Sequence, residues 1–265
     1  MAGRAAHLEA VGRSPRGIIS IMASTQFRNE VGRIWAEHFG CSPDILSRPG
    51  STFISRQKLA SSGAVYITHI LAHAFVELGP SLGEEFGQSL LGIAERNPLS
   101  ASLVSDVVPT DRLVSVDRGL IFHLEPGRLI EHTPQDGIDR RFLEQGDAQA
   151  LSQLFDACDA GEVDDAFVAV GHEIAVGCLE GERIVSAGSG YRLNRFMDLG
   201  VLTHPAHRGR RLAPSVVAAL CASASKLGVV AQYRCDVTNP SSRRVAEQRG
   251  FTKFWDTESI RLSLA

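Results

Sequence analysis

The order of helix and strand patterns in the C-terminal half limits the fold of this chain more than any other feature. The order is helix, three strands, helix, strand, helix and two strands. These patterns lie at about residues 147–158, 173–179, 183–191, 196–203, 212–227, 229–237, 240–249, 251–255 and 259–264. Because helices and strands bury their apolar sides against each other in layers, this order predicts an α/β layer fold.

The N-terminal half has a weaker pattern of the same kind. Helical spacing occurs at residues 27–39 and 82–94, and strand-like segments occur at 52–55, 64–68 and 113–124, the last with a predicted turn at 117–119. Turn residues near 137–145 predict a domain boundary. We therefore expect a flexible leader at residues 1–22, for which a transit peptide is the weaker alternative. A smaller, diverged α/β domain should follow at 23–140, and a second domain at 141–265.

Composition excludes several classes of protein. With 44% hydrophobic residues in 265, the chain can bury a sizeable core. A net charge of −3 argues against a general nucleic-acid surface. No apolar run approaches the ~20 residues that cross a bilayer, so we expect no membrane span. The five cysteines form no CxxC pair, which favours reduced thiols and a cytoplasmic location. A homodimer is one candidate for the oligomeric state.

The segment from Val201 to Ala213 ends a strand, forms a loop and opens the longest predicted helix. The start of a helix has unpaired N–H groups and a partial positive charge. Arg208, Arg210 and Arg211 nevertheless stand there, beside Gly209. A bound anion would make this arrangement favourable, and Gly209 would permit its close approach. The alternative is a solvated basic loop.

The same segment resembles a known family. Arg208-Gly-Arg-Arg-Leu-Ala213 is similar to the pyrophosphate loop of the GCN5-related N-acetyltransferases (GNAT). The preceding strand from Asp198 to Thr203, the His204-Pro205 turn and the Asn239-to-Phe251 segment with its final Gly-Phe also resemble that family. The resemblance covers about residues 147–265. It implies a mixed, mostly antiparallel sheet flanked by helices.

The resemblance also implies that acetyl-CoA is the co-substrate, bound where two parallel strands diverge. Strand groups of Val201 and Thr203 would meet the pantetheine arm, and the loop amides would hold the pyrophosphate. Asn239 would bond the arm, and Arg243 or Arg244 would meet a phosphate unless they only form a solvated helix face. The predicted cofactor-binding residues are Val201, Leu202, Thr203, Arg208, Gly209, Arg210, Arg211, Leu212, Ala213, Asn239, Ser242 and Arg244.

The implied reaction is direct attack of a primary amine on the thioester, which needs a nearby proton acceptor. Asp198 is the first candidate, because residues 198, 200 and 202 share one strand face and Gly200 leaves space there. Glu173 is the second. Many relatives carry a tyrosine where this chain has Ala246, so either another group such as Ser242 assists the leaving thiol or the thiol leaves through water. An N–H of Val201 or Leu202 would stabilise the oxyanion.

The predicted function is N-acetylation of a small-molecule amine. A non-catalytic acyl-CoA-binding sensor module and a peptide or protein N-acetyltransferase are the alternatives. Asp164 and Asp165 attract a cationic substrate or simply form a surface turn. His69, His73 and Glu77 have a spacing that would suit zinc on a helix, but no fourth ligand is evident and we predict no metal site.

Overall fold

The computed structural model describes residues 23–95 and 97–263, and the predicted leader at 1–22 lies outside them. Seven helices occur in the described residues: α1 (Thr25–His38), α2 (Pro80–Ala94), α3 (Ala101–Ser105), α4 (Ala148–Asp156), α5 (Ala160–Ala166), α6 (Leu212–Lys226) and α7 (Pro240–Gln248). The strands are β1 (Gly50–Ser55), β2 (Ala64–Ile70), β3 (His73–Leu78), β4 (Leu113–His123), β5 (Asp139–Phe142), β6 (Ile174–Glu180), β7 (Arg183–Leu193), β8 (Phe196–Thr203), β9 (Val230–Asp236) and β10 (Thr252–Leu262).

Within the described residues these strands form one mixed sheet in the order β1-β3-β2-β10-β4-β9-β8-β7-β6-β5. Only the β1–β3 and β8–β9 pairs are parallel. The predicted mostly antiparallel sheet with flanking helices is therefore confirmed. The last strand, β10, lies between β2 and β4, so both halves of the chain contribute to the same sheet. The division near residue 140 stays a prediction.

Helices cover both faces of the sheet. On one face α6 and α7 pack on the central strands through residues such as Val216, Leu220 and Ala246, and α2 packs on the N-terminal strands. The other face is covered by α1 around Trp35 and by α4 around Leu154. Between α1 and α5 this second face carries polar side chains. No helix in the described part of the chain has both the length and the apolar character to cross a membrane.

Two local predictions are wrong, and the helical arrangement considered for a zinc site is not found. His69, His73 and Glu77 do not share a helix, because His69 lies on β2 and the other two lie on β3. His73 Nε2 instead lies 2.9 Å from Thr52 Oγ1, and His69 pairs with Glu258. No metal-binding group of side chains occurs in the described residues. The predicted turn at 117–119 is absent from the continuous strand β4, and the two predicted final strands are the single strand β10.

Candidate active site

The parallel pair β8–β9 opens halfway along its length. The two strands are paired from Phe196–Val230 to Leu199–Tyr233, and the pairing stops there. Strand β8 continues to Thr203 and stays paired with β7 on its other side. In the described part of the chain, the edge of β8 that faces β9 therefore has no partner strand beyond Leu199. This gap is called the opening below.

The backbone groups that face the opening follow from the ladder between β7 and β8. The His204 N–H donates to the Val185 carbonyl. Because ladder bonds alternate along an antiparallel pair, Leu202 also directs its N–H and C=O toward β7. Val201 and Thr203 therefore direct theirs toward the opening, as predicted. Leu202 does not fit the predicted alternative oxyanion donor, since its N–H belongs to the β7 ladder.

The loop after β8 bends sharply before α6 begins. Gly209 has a φ of +79°, where glycine is unstrained, and Arg211 adopts the left-handed region at φ 57° immediately before the helix. This geometry brings the predicted loop residues Arg208 to Ala213 to the same end of the sheet as the opening. Pro214 in the first turn has no N–H, so the backbone donors there come from its neighbours.

Two of the three loop arginines, which were expected to surround an anion, instead pair with glutamates of the protein. Arg208 donates to Glu162 at 2.7 Å, and Arg210 donates to Glu180 at 3.0 Å. Their charges are therefore balanced within the protein, and the crowding of like charge does not by itself require a bound anion. Arg211 has no ion pair in the described part of the chain. An anion at the loop would thus meet Arg211 and backbone N–H groups before the other two guanidinium groups.

Asp198, the first predicted base, is held in place by two side chains. Arg234 Nε lies 3.0 Å from Asp198 Oδ2, and Gln232 Nε2 donates to Asp198 Oδ1 at 2.8 Å. Arg234 Nη2 also donates to the Tyr191 hydroxyl. Asp198 is buried, whereas the Arg234 side chain is 53% exposed at the opening. Asp198 also raises the pKa of Arg234. A carboxylate with this pairing suits the orientation of Arg234 better than the removal of a proton from an amine.

The space that was predicted beside Gly200 is filled. A Cβ on Gly200 would lie 1.7 Å from the carbonyl oxygen of Ala166 at the end of α5. The acceptor therefore does not approach Asp198 over Gly200. The following residues are fixed on β7, because the Ala169 N–H donates to Ser189 Oγ and the Phe167 ring contacts Tyr191. The end of α5 thus forms one side of the opening.

Three carboxylates without a cationic partner in the described residues lie across the opening. Asp165 precedes Ala166 on α5, Asp236 ends β9, and Asp117 lies on β4. Partial burial raises the pKa of Asp165, and the charges of Asp236, Asp164 and Asp117 raise it further. Asp165 is therefore more basic than an ordinary aspartate, and its surroundings favour a cation.

At the start of α7, Asn239 and Ser242 take positions near the end of β9. Asn239 is the N-cap, and its Oδ1 accepts from the Ser242 N–H at 2.9 Å. Its amide nitrogen is left for another partner. The Tyr233 hydroxyl lies 2.9 Å from Ser242 Oγ. Arg243 pairs with Glu247 on the helix surface, and Arg244 is exposed.

Glu173, the second predicted base, lies away from the opening. It precedes β6 and accepts from Arg192 Nε at 2.8 Å. This hydrogen bond lowers the pKa of Glu173. It lines a groove of about 570 Å³ together with Ser223 and Leu227 near the far end of α6. At about 1.5 Å per residue, Ser223 is roughly 16 Å along the helix from its start. The position of Glu173 and its pairing with Arg192 therefore argue against a role beside the thioester, and that role stays an untested prediction.

Sequence reasoning missed the side chains that surround Asp198. Gln232 and Arg234 alternate along β9 with the buried Ala231 and Tyr233, which is the period of a strand. That alternation places them on one face, but only the parallel register with β8 brings them to Asp198. The sequence indicated Asp165 only weakly as a site residue, because its acidic segment is equally typical of a surface turn.

Comparisons with known proteins agree with this geometry. Residues 136–256 match the sequence model of the family described as GNAT acetyltransferase. The GCN5-related N-acetyltransferase from Kribbella flavida has the same fold at a TM-score of 0.54, with 16% identity over 91% of this chain and 98% of that one. The enzyme of that name from Sphaerobacter thermophilus has a TM-score of 0.51, with 12% identity over 91% and 94%. No curated protein matches the chain.

Proposed function

Because residues 136–256 belong to the GNAT acetyltransferase superfamily, we propose that this protein transfers an acetyl group from acetyl-CoA to a primary amine of a small molecule. The observation that carries the proposal is the opening between β8 and β9, with the loop of Gly209 and the start of α6 at the same end. The backbone edge of Val201 and Thr203, which no described strand covers, suits the amide groups of a pantetheine arm, and the Arg208 side chain already donates to the Thr203 carbonyl there. The turn at Gly209 suits a diphosphate, because its N–H groups are available at a helix start.

Side chains around the opening would complete the binding of acetyl-CoA. Arg211 would meet a phosphate oxygen, since it has no ion pair in the described residues. Asn239 would donate its amide N–H to the arm while its oxygen caps α7. The Val201 N–H would donate to the thioester oxygen as negative charge develops there.

The acids beside the opening support an amine acceptor. An ammonium group would be attracted by Asp117, Asp165 and Asp236, which lack cationic partners in the described part of the chain. The amine must lose a proton before or during its attack on the thioester carbon. We assign that proton to Asp165, because its pKa is raised and it has no cationic partner in the described residues, whereas Asp198 is paired with Arg234.

The leaving group would meet Ser242. The buried Tyr233 retains its proton near neutral pH, because burial raises its pKa to about 12. When the Tyr233 hydroxyl donates to Ser242 Oγ, the Ser242 proton is free to point elsewhere. As the C–S bond breaks and the N–C bond forms, Ser242 would donate a hydrogen bond to the thiolate. The proton released by the amine leaves through Asp165.

Release of coenzyme A in the presence of a panel of amines tests the proposal. We expect a saturable rate with small primary amines and little rate with acetyl-CoA alone. A calorimetric titration with acetyl-CoA provides the control for binding. Tight binding without turnover on small amines or peptides would instead support a sensor. Absence of binding would contradict the proposed function as a whole.

Substitution of the loop arginines gives a second test. Arg211→Ala should weaken acetyl-CoA binding about tenfold, because this arginine is not balanced by an acid in the described residues. Arg208→Ala and Arg210→Ala should weaken it only two- to threefold, since Glu162 and Glu180 already pair with them. Dissociation constants at two salt concentrations measure the difference. Equal losses in all three variants would contradict the assignment to Arg211.

A further inference from the structure

Two buried polar atoms without hydrogen-bond partners lie on neighbouring strands. His123 of β4 and Gln232 of β9 are directly opposite in the antiparallel ladder, so their side chains share a face with Cβ atoms roughly 5 Å apart. Both residues are fully buried. His123 Nδ1 and Gln232 Oε1 have no partner among the described residues. A buried polar group that stays unpaired is costly, so the pair calls for an explanation.

The neighbours of the two side chains determine which atom carries a proton. Trp35 Nε1, which can only donate, lies 3.3 Å from His123 Nε2. His123 Nε2 is therefore an acceptor, and the proton of the neutral ring is on Nδ1. Burial lowers the pKa of His123 to about 3, so the ring is neutral near pH 7. His123 thus offers an unpaired donor, Nδ1–H, on the strand next to Gln232.

Gln232 offers the complementary acceptor. Asp198 is a carboxylate paired with Arg234, so it can only accept, and the nitrogen of the Gln232 amide must face it. The amide oxygen then points away from Asp198. An unpaired donor on His123 and an unpaired acceptor on Gln232 are therefore neighbours in the same buried layer.

We propose that His123 and Gln232 are positioning residues, joined through one buried water that accepts from His123 Nδ1–H and donates to Gln232 Oε1. This water completes a series of hydrogen bonds that begins at Trp35 of α1, passes through His123 and Gln232, and ends at Asp198 and Arg234. This series is called the hydrogen-bond network below. It fixes the Gln232 amide, which holds one oxygen of Asp198, and Asp198 in turn orients the guanidinium group at the opening.

The consequence for the reaction rests on the proposed function. Arg234 lies two residues from Asp236 on the same face of β9, beside the carboxylates assigned to the acceptor. A change in its orientation alters the charge that an entering ammonium group meets. The hydrogen-bond network does not include Val201, Gly209 or α6. Its loss should therefore change the affinity for the acceptor amine and leave acetyl-CoA binding unchanged.

Nuclear magnetic resonance of the full-length ¹⁵N-labelled protein tests the hydrogen-bond network without reference to activity. Long-range ¹H–¹⁵N correlations should show His123 as the neutral Nδ1–H tautomer between pH 6 and 8. The Arg234 Nε–H resonance should be resolved, and it should shift in Gln232→Met. The Nε2–H tautomer, or an unshifted Arg234 resonance in that variant, would overturn the proposal even if the protein proves to have no acetyltransferase activity.

Kinetics of matched variants test the positioning role. Gln232→Met and His123→Phe should raise the KM for the acceptor about tenfold, with kcat within twofold and acetyl-CoA affinity unchanged. His123→Asn keeps an N–H donor near the position of Nδ1, so its KM should stay within threefold of that of the parent protein. Thermal unfolding confirms that each variant is folded. If His123→Asn and His123→Phe raise the KM for the acceptor equally, or if neither raises it, the hydrogen-bond network has no positioning role.

Discussion

Gly200→Ala should destabilise the protein by about 3 kcal/mol and abolish most acetyl transfer. The added Cβ would lie 1.7 Å from the Ala166 carbonyl oxygen and 2.9 Å from its carbonyl carbon. Both atoms belong to the backbone, so no rotation of a side chain relieves the contact. Over-packing of this kind usually costs 1–3 kcal/mol. Relief requires that the end of α5 moves off β8, and that movement carries Asp165 away from the opening.

Urea denaturation and release of coenzyme A measure the two effects. Gly146→Ala is the matched control, because nothing lies within 4 Å of its Cβ position and its φ is not positive. The control should stay within 0.5 kcal/mol of the parent protein. Acetyl-CoA affinity should survive in Gly200→Ala, since Gly209 and Val201 are unaffected. A variant as stable and active as the control would show that α5 does not lie against β8.

The parts of the fold that follow from local chemistry were predictable. Helix α6 has a continuous apolar pattern that ends at Gly228, and Asn239-Pro240 has the residue types of an N-cap and a first helical position. The alternation in β8 also indicated which residues share a face. From these elements and the resemblance, the loop at Gly209 and the opening beside Val201 were correctly placed.

The parts that depend on contacts between distant segments were not predictable. The β2–β3 hairpin turns through Leu71 at φ 55°, a conformation for which glycine is the usual signal, so the hairpin had no visible turn. Helix α5 is short and acidic and has no apolar stripe. The close approach of Ala166 to Gly200 is a tertiary contact. A sequence does not show whether the space beside a glycine is open or is filled by a distant segment.

The pairing of Asp198 with Arg234 shows the same limit at the site. Aspartate on a strand that borders a cofactor cleft is a reasonable base when its neighbours are unknown. The register of two parallel strands decides whether a cation lies opposite it, and no pattern within either strand carries that register. The structure therefore moves the proposed base from Asp198 on the sheet to Asp165 on the helix that covers it.

Asp165→Asn should lower kcat by a factor of about 10² to 10⁴, the usual contribution of a general base. The asparagine cannot accept the amine proton, while Asp165 itself makes none of the proposed contacts with acetyl-CoA, so the affinity for acetyl-CoA should be unchanged. In the parent protein the rate should rise with pH as Asp165 ionises, above the ordinary carboxyl range because partial burial and neighbouring acids raise its pKa. That limb of the pH profile should disappear in the variant.

The same substitution should leave the protein at least as stable near pH 7. A carboxyl whose pKa is raised by folding binds its proton more tightly in the folded state, so it lowers stability as pH rises through the interval between the two pKa values. Asparagine removes that loss at pH 7 and changes little in acid. Asp164→Asn is the matched control on the same helix and should keep activity within threefold. Loss of both activity and stability in Asp165→Asn would indicate a structural role, and an equal loss in the control would indicate that only the net charge of α5 matters.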